Sequence, residues 1–198
     1  MRALCIAALI TSLSTAATIH RPSKKALHEF RRQAFGAHAV AGAGTSAVVG
    51  QLRNRPGEWG TGAGGFAKRF GSAFGQHIVK TGIELPVAAW RHENLNYHPS
   101  NLQGTWPRVK YAVKSTFIVP RTNRPGKTVA VSRISGNLGA GVISRAWQPA
   151  SAAGLGAGLV SGGIGIGAEV GVNVAREFWP RKRHAVAGRT RVAKVEVR

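Results

Sequence analysis

Cysteine is nearly absent: the single one, Cys5, stands within the first few residues. The rest of the chain therefore has no disulfide, no thiolate nucleophile and no sulfur metal ligand from cysteine. Aspartate is missing altogether, and the 7 acidic residues are all glutamate. Only 2 tyrosines are present. That is few for a transmembrane barrel, which needs aromatic girdles at both interfaces.

These shortages exclude much chemistry. A serine or threonine nucleophile needs a base and an orienting acid. Here no Gly-x-Ser-x-Gly elbow occurs, and no two carboxylates stand at a useful local spacing. His92-Glu93 followed by His98 looks superficially like a zinc site. The zincin pattern wants two histidines four apart on one helical face, whereas these are six apart in a predicted loop. His77 and Glu84, seven residues apart, share a helix face at two turns; a packing histidine beside an exposed glutamate is the simpler reading. Arg124-Pro125-Gly126-Lys127-Thr128 mimics the end of a phosphate loop, but Arg121 stands where the first glycine belongs. Gly136-Asn137-Leu138-Gly139-Ala140-Gly141 has the wrong spacing for a dinucleotide fingerprint and reads as a turn or packing site. No catalytic residue, metal, cofactor or small-molecule substrate is inferred.

What the chain has in excess is base. Lysine and arginine total 28, giving a formal net charge of +21. No acid lies between Glu93 and Glu169. Such a field attracts polyanions over a Debye length of ~8–10 Å. Residues 1–17 read as a Sec-type signal peptide: Arg2, an apolar run over 3–13, then Ala16 and Ala17 as small residues for cleavage. The run is too short to cross ~30 Å of hydrocarbon. Export to the periplasm or cell envelope is expected.

Residues 18–180 read as one glycine-rich helical domain and 181–198 as a basic tail. Ser23 can cap a short amphipathic helix reaching about Phe35. A small-residue helix follows over Ala37–Leu52, then a turn at Asn54-Arg55-Pro56-Gly57. Phe66, Phe70, Phe74 and Ile78 recur every four residues, which predicts a helix over 62–84 with one apolar stripe. Pro86 is expected to break or kink it, with 87–93 resuming for two turns. Residues 94–104 read as a loop. Thr105 can cap the next helix, with Trp106, Val109, Val113 and Phe117 expected on its buried side. A short hairpin is expected within 117–131. Glycines four apart follow: Gly154, Gly158 and Gly162, and again Gly163, Gly167 and Gly171, as Gly71 and Gly75 are earlier. This spacing lets helix backbones approach closely, so these eight are the expected helix-packing glycines. Against a helix, residues 163–174 also alternate apolar and small with period two, as a barrel strand does. The helical reading is favoured, and an outer-membrane-type β protein remains the alternative.

The blocks Arg69-Phe70-Gly71-Ser72-Ala73-Phe74-Gly75-Gln76-His77 and Arg176-Glu177-Phe178-Trp179-Pro180 resemble an uncharacterised family of exported, glycine-rich bacterial proteins. The likeness runs from about residue 49 to 180 and implies location, with no activity attached. The expectation is thus a mainly α, Gly/Ala-packed helical bundle acting as a non-catalytic envelope or membrane protein. Arg108, Lys110, Lys114, Trp179, Arg181, Lys182 and Arg183 are the expected contacts to anionic lipid or an envelope polymer. Self-association through the glycine-rich helices is a further expectation. Nucleic-acid binding, which the charge also suits, is the less favoured alternative.

Overall fold

The structure, a computed structural model, describes residues 23–179; the expected leader and the tail cations Arg181, Lys182 and Arg183 lie outside them. The chain is mainly α-helical: α1 Lys24–Phe35, α2 Ala37–Leu52, α3 Ala63–Arg91, α4 Thr105–Phe117, α5 Val131–Ile143 and α6 Leu155–Phe178. Between α4 and α5 a hairpin pairs β1 Ile118–Pro120 with β2 Lys127–Val129, antiparallel, with Val119 opposite Thr128. Single 3-10 turns at Gly57–Trp59, Ser144–Trp147 and Ala150–Ala152 fill the connections.

The bundle forms a chain of contacts. The long α3 packs against α2 and α1 on one side and α5 on the other; α5 packs on α6, and α6 on α4. Ser23 caps α1 through its hydroxyl, which accepts from the Ala26 amide at 3.2 Å. Residues 163–174 lie within α6 as helix, so the period-two alternation does not become a strand. Close backbone contact decides for helix: a β-carbon on Gly162 would sit 2.7 Å from the α-carbon of Leu138, and one on Gly158 2.9 Å from that of Val142.

Three expectations are corrected. Helix α3 passes through Pro86 without a break and ends at Arg91, where His92 turns left-handed at φ 55. Proline removes one intrahelical hydrogen bond and crowds the preceding turn, at about 3 kcal/mol; the helix continues regardless, with Thr81 and Ala88 buried on either side. The phenylalanine stripe is a half-exposed ladder rather than a core. Phe70 and Phe74 stack at 6.0 Å, Phe35 closes edge-on at 5.9 Å, and the buried positions of α3 are Gly65, Arg69, Ser72, Thr81 and Ala88. On α4 the buried residues are Ala112 and Thr116, while Trp106, Val113 and Phe117 are exposed.

The common cause is the spacing between helices. A seam set by glycine admits alanine, serine and threonine and pushes larger side chains outward. The buried apolar residues are accordingly eight alanines and Val119. The largest fully buried side chains are Glu177, Thr116, Ser132 and Ser144.

Candidate membrane-facing surface

The site begins with what is inside. Of the six glutamates among the described residues, four have side chains nearly withdrawn from solvent: Glu93 and Glu177 are 0% exposed, Glu84 12% and Glu169 21%. A buried carboxylate must be paired or hydrogen-bonded, and each is. Glu177, near the end of α6, accepts from the Tyr97 hydroxyl at 2.6 Å, the Ser100 amide at 2.9 Å and the Ser100 hydroxyl. Arg108 of α4 lies 3.4 Å from the same carboxylate and also donates to the Glu177 carbonyl. One glutamate thereby ties the 94–104 loop and α4 to α6. Glu93 does the same beyond α3. It accepts from Arg91 at 2.7 Å, from the Val131 and Ser132 amides at 3.2 and 3.1 Å, and from the Ser132 hydroxyl. The first amides of α5 are thus capped by a residue 38 positions away, where a helix N-terminus favours negative charge. Burial works against the Glu93 anion, yet the Ser132 hydroxyl, Arg91 and the two amides hold its carboxyl below the usual value.

Between α3, α5 and α6 two cations face two anions. Lys80 contacts Glu84 at 3.3 Å and also pairs with Glu169; Arg133 lies 2.7 Å from Glu169 and 3.9 Å from Glu84. Asn137 donates to Glu169 at 2.7 Å. The cluster is neutral, and a glycine on α5 makes room for it: a β-carbon on Gly136 would sit 3.0 Å from that of Glu84. Glu84 is therefore not the partner of His77, whose Nε2 lies 3.1 Å from the Gln33 carbonyl oxygen of α1. Arg69 is buried with carbonyl and amide oxygens in place of a carboxylate. It donates to the backbone of Arg55, Pro56 and Gly60 and to the side chains of Gln51 and Asn54. Among the described residues no group of three or more metal-ligating side chains occurs.

With most acids turned inward, the exterior is basic and apolar. Helix α6 is the one described helix long and apolar enough to cross a membrane, with 24 residues and a mean hydropathy of 1.4 over an 18-residue stretch. Its length corresponds to about 36 Å at ~1.5 Å per residue, against a hydrocarbon core of ~30 Å. It buries Gly158, Gly162, Asn173 and Glu177, and exposes Leu155, Leu159, Val160, Ile164 and Val172. At its C-terminal end Phe178 lies under the Arg108 guanidinium, 4.4 Å from ring centroid to cation, and Trp179 is 73% exposed. On neighbouring α4, Lys110 stands 5.3 Å over the ring of Trp106, itself 66% exposed. Tryptophan and lysine placed so, beside an apolar helix, form the pattern found where hydrocarbon meets head groups.

The structure separates the residues predicted from sequence. Lys110, Lys114 and Trp179 are exposed. Arg108 is turned inward onto Glu177 and Phe178. Of the eight glycines, Gly158 and Gly162 lie against α5, and Gly75 makes ordinary contact with Trp147 at 3.7 Å; a β-carbon on Gly71, Gly154, Gly163, Gly167 or Gly171 would meet nothing within 4 Å. The seam is completed from the other side by Gly141, whose β-carbon would sit 2.7 Å from the Gly162 nitrogen. That glycine ends the hexapeptide dismissed above as a false dinucleotide motif. Sequence reasoning missed the anchoring glutamates, since their partners lie 38 to 80 residues away. No protein-family model, curated protein or solved structure matches the chain.

Proposed function

We propose that this chain is a non-catalytic, exported envelope protein that attaches to an anionic membrane. Helix α6 and the outer side of α4 meet the lipid, and Lys110 and Lys114 meet its head groups. The observation that carries this reading is the inverted sorting of side chains. Leucine, isoleucine, valine and tryptophan on α4 and α6 are outside, while alanine, serine, threonine and glutamate are inside. Large apolar side chains exposed along two neighbouring helices make this surface a candidate interaction site. Hydrocarbon would stabilise it at roughly 25 cal/mol per Å² covered, and each surface lysine adds about 1 kcal/mol toward anionic lipid. The predicted leader and the resemblance to exported proteins agree with an envelope location. The basic exterior alone would also suit a soluble polyanion, and salt distinguishes the two.

Flotation of the full chain with vesicles is the test. Vesicles of mixed phosphatidylglycerol and phosphatidylcholine should carry the protein upward at low salt, and a fraction should stay bound at 1 M salt through the apolar face. Protein that remains at the bottom with these vesicles at low salt would overturn the proposal. Complete release by salt, with equal retention on a soluble polyanion, would replace it with the polyanion reading.

A further inference from the structure

A second apolar feature lies on α3. Lys68, Gly71, Ser72, Gly75, Ile78 and Val79 form one face of the helix, and Trp59 and Trp147 stand beside it, bordering an open, shallow groove of about 590 Å³. That volume lies within the ~300–1,000 Å³ of small-molecule sites. From Lys68 to Val79 the stripe runs about 16 Å at ~1.5 Å per residue.

The floor is unusual. Each helical glycine costs about 0.8–1 kcal/mol against alanine, which close packing normally offsets. Gly71 has no such packing: a β-carbon there would meet nothing within 4 Å, and one on Gly75 would meet only the Trp147 ring at 3.7 Å. Both glycines leave the groove open. Its walls are held in place. The Trp147 indole N–H donates to the Ser72 hydroxyl at 3.1 Å, and Gln148 donates to the same oxygen at 2.7 Å. The indole's one polar atom is thus satisfied, and its ring faces the groove as hydrocarbon.

The groove is polarised from end to end. Lys68 is the only charged residue in its lining and has no ion pair among the described residues; Ile78 and Val79 close the opposite end. No carboxylate lines it. We infer that the groove binds a single-chain fatty carboxylate, its tail lying over Gly71 and Gly75 between the two tryptophans and its head group paired with Lys68. Charge complementarity selects this occupant over an apolar peptide, which would leave the lysine unanswered.

The experiment titrates the full chain with a dibrominated stearate below its micellar concentration, without vesicles, and reads quenching of tryptophan fluorescence. Quenching should saturate, with part of the signal from the 5 tryptophans remaining. Gly71→Leu should weaken binding at least tenfold while keeping or raising the thermal midpoint, because the new side chain enters open space and favours helix. Lys68→Gln, or the methyl ester as ligand, should weaken binding about fivefold, as expected for one charge worth roughly 1 kcal/mol. Non-saturating quenching, or quenching indifferent to Gly71→Leu, would overturn the inference. So would a Gly71-sensitive response to phosphatidylglycerol vesicles without one to the stearate, which would assign the groove to a bilayer lipid. Concentration-dependent self-association abolished by Gly71→Leu would assign it to a second copy. Because the stearate titration itself contains no membrane, its outcome is independent of flotation.

Discussion

Glu177 joins the ends of this fold through one carboxylate. Replacing it with alanine removes the carboxylate from Arg108 and from the Ser100 amide, and leaves Arg108 only the backbone carbonyl and the Phe178 ring. Breaking a fully buried pair costs about 3–5 kcal/mol. Arg108 keeps 30% of its side chain in solvent, so a loss of about 2–4 kcal/mol is expected in denaturant unfolding. Glu93 predicts a pH effect. Its carboxyl is held below the ordinary value in the folded chain, against about 4.3 when unfolded. Its stabilisation is therefore complete above the unfolded value and is lost as pH falls through the folded one. Glu93→Gln should lower stability at neutral pH and flatten the acid limb, read as the urea midpoint against pH. The sequence marks neither residue as an anchor, apart from one faint signal for Glu177: with Asn173 it forms an i, i+4 polar pair near the end of α6, and Asn173 donates to Thr116 of α4 at 3.0 Å.

At the scale of the element, the positions of the helices were legible and their faces were not. Period-four spacing and capping residues mark α1, α2 and the start of α3, and the Arg124-Pro125-Gly126 turn marks the hairpin. The faces failed on one assumption, that large apolar residues point inward. In α4 the small Ala112 and Thr116 are buried while Trp106, Val113 and Phe117 point outward. The glycines of α6 divide in the same way, which spacing alone could not show, since every set repeats by four. Gly162→Ala should be destabilising by about 1–3 kcal/mol, the usual cost of overpacking, because its β-carbon would meet Leu138. Gly167→Ala meets nothing and should raise stability by about 0.8–1 kcal/mol. Thermal midpoints of the two variants would show opposite signs.

For the molecule as a whole, the charge excess was readable from composition, but its concentration on the exterior was not, because that depends on where the glutamates end up. Turning Glu84, Glu93, Glu169 and Glu177 inward leaves lysines on the outside with little to oppose them. Lys110→Gln and Lys114→Gln should each reduce vesicle affinity about fivefold at low salt, from roughly 1 kcal/mol per charge, and have little effect at high salt.

The distribution of side chains also bears on how this chain finds its fold. In water, collapse gathers the largest apolar residues first, and here those are the residues left outside. A collapsed state built on those residues is the competitor that the native arrangement must outweigh in water. Under the proposed membrane attachment, the solvent becomes part of the folding code for such a chain.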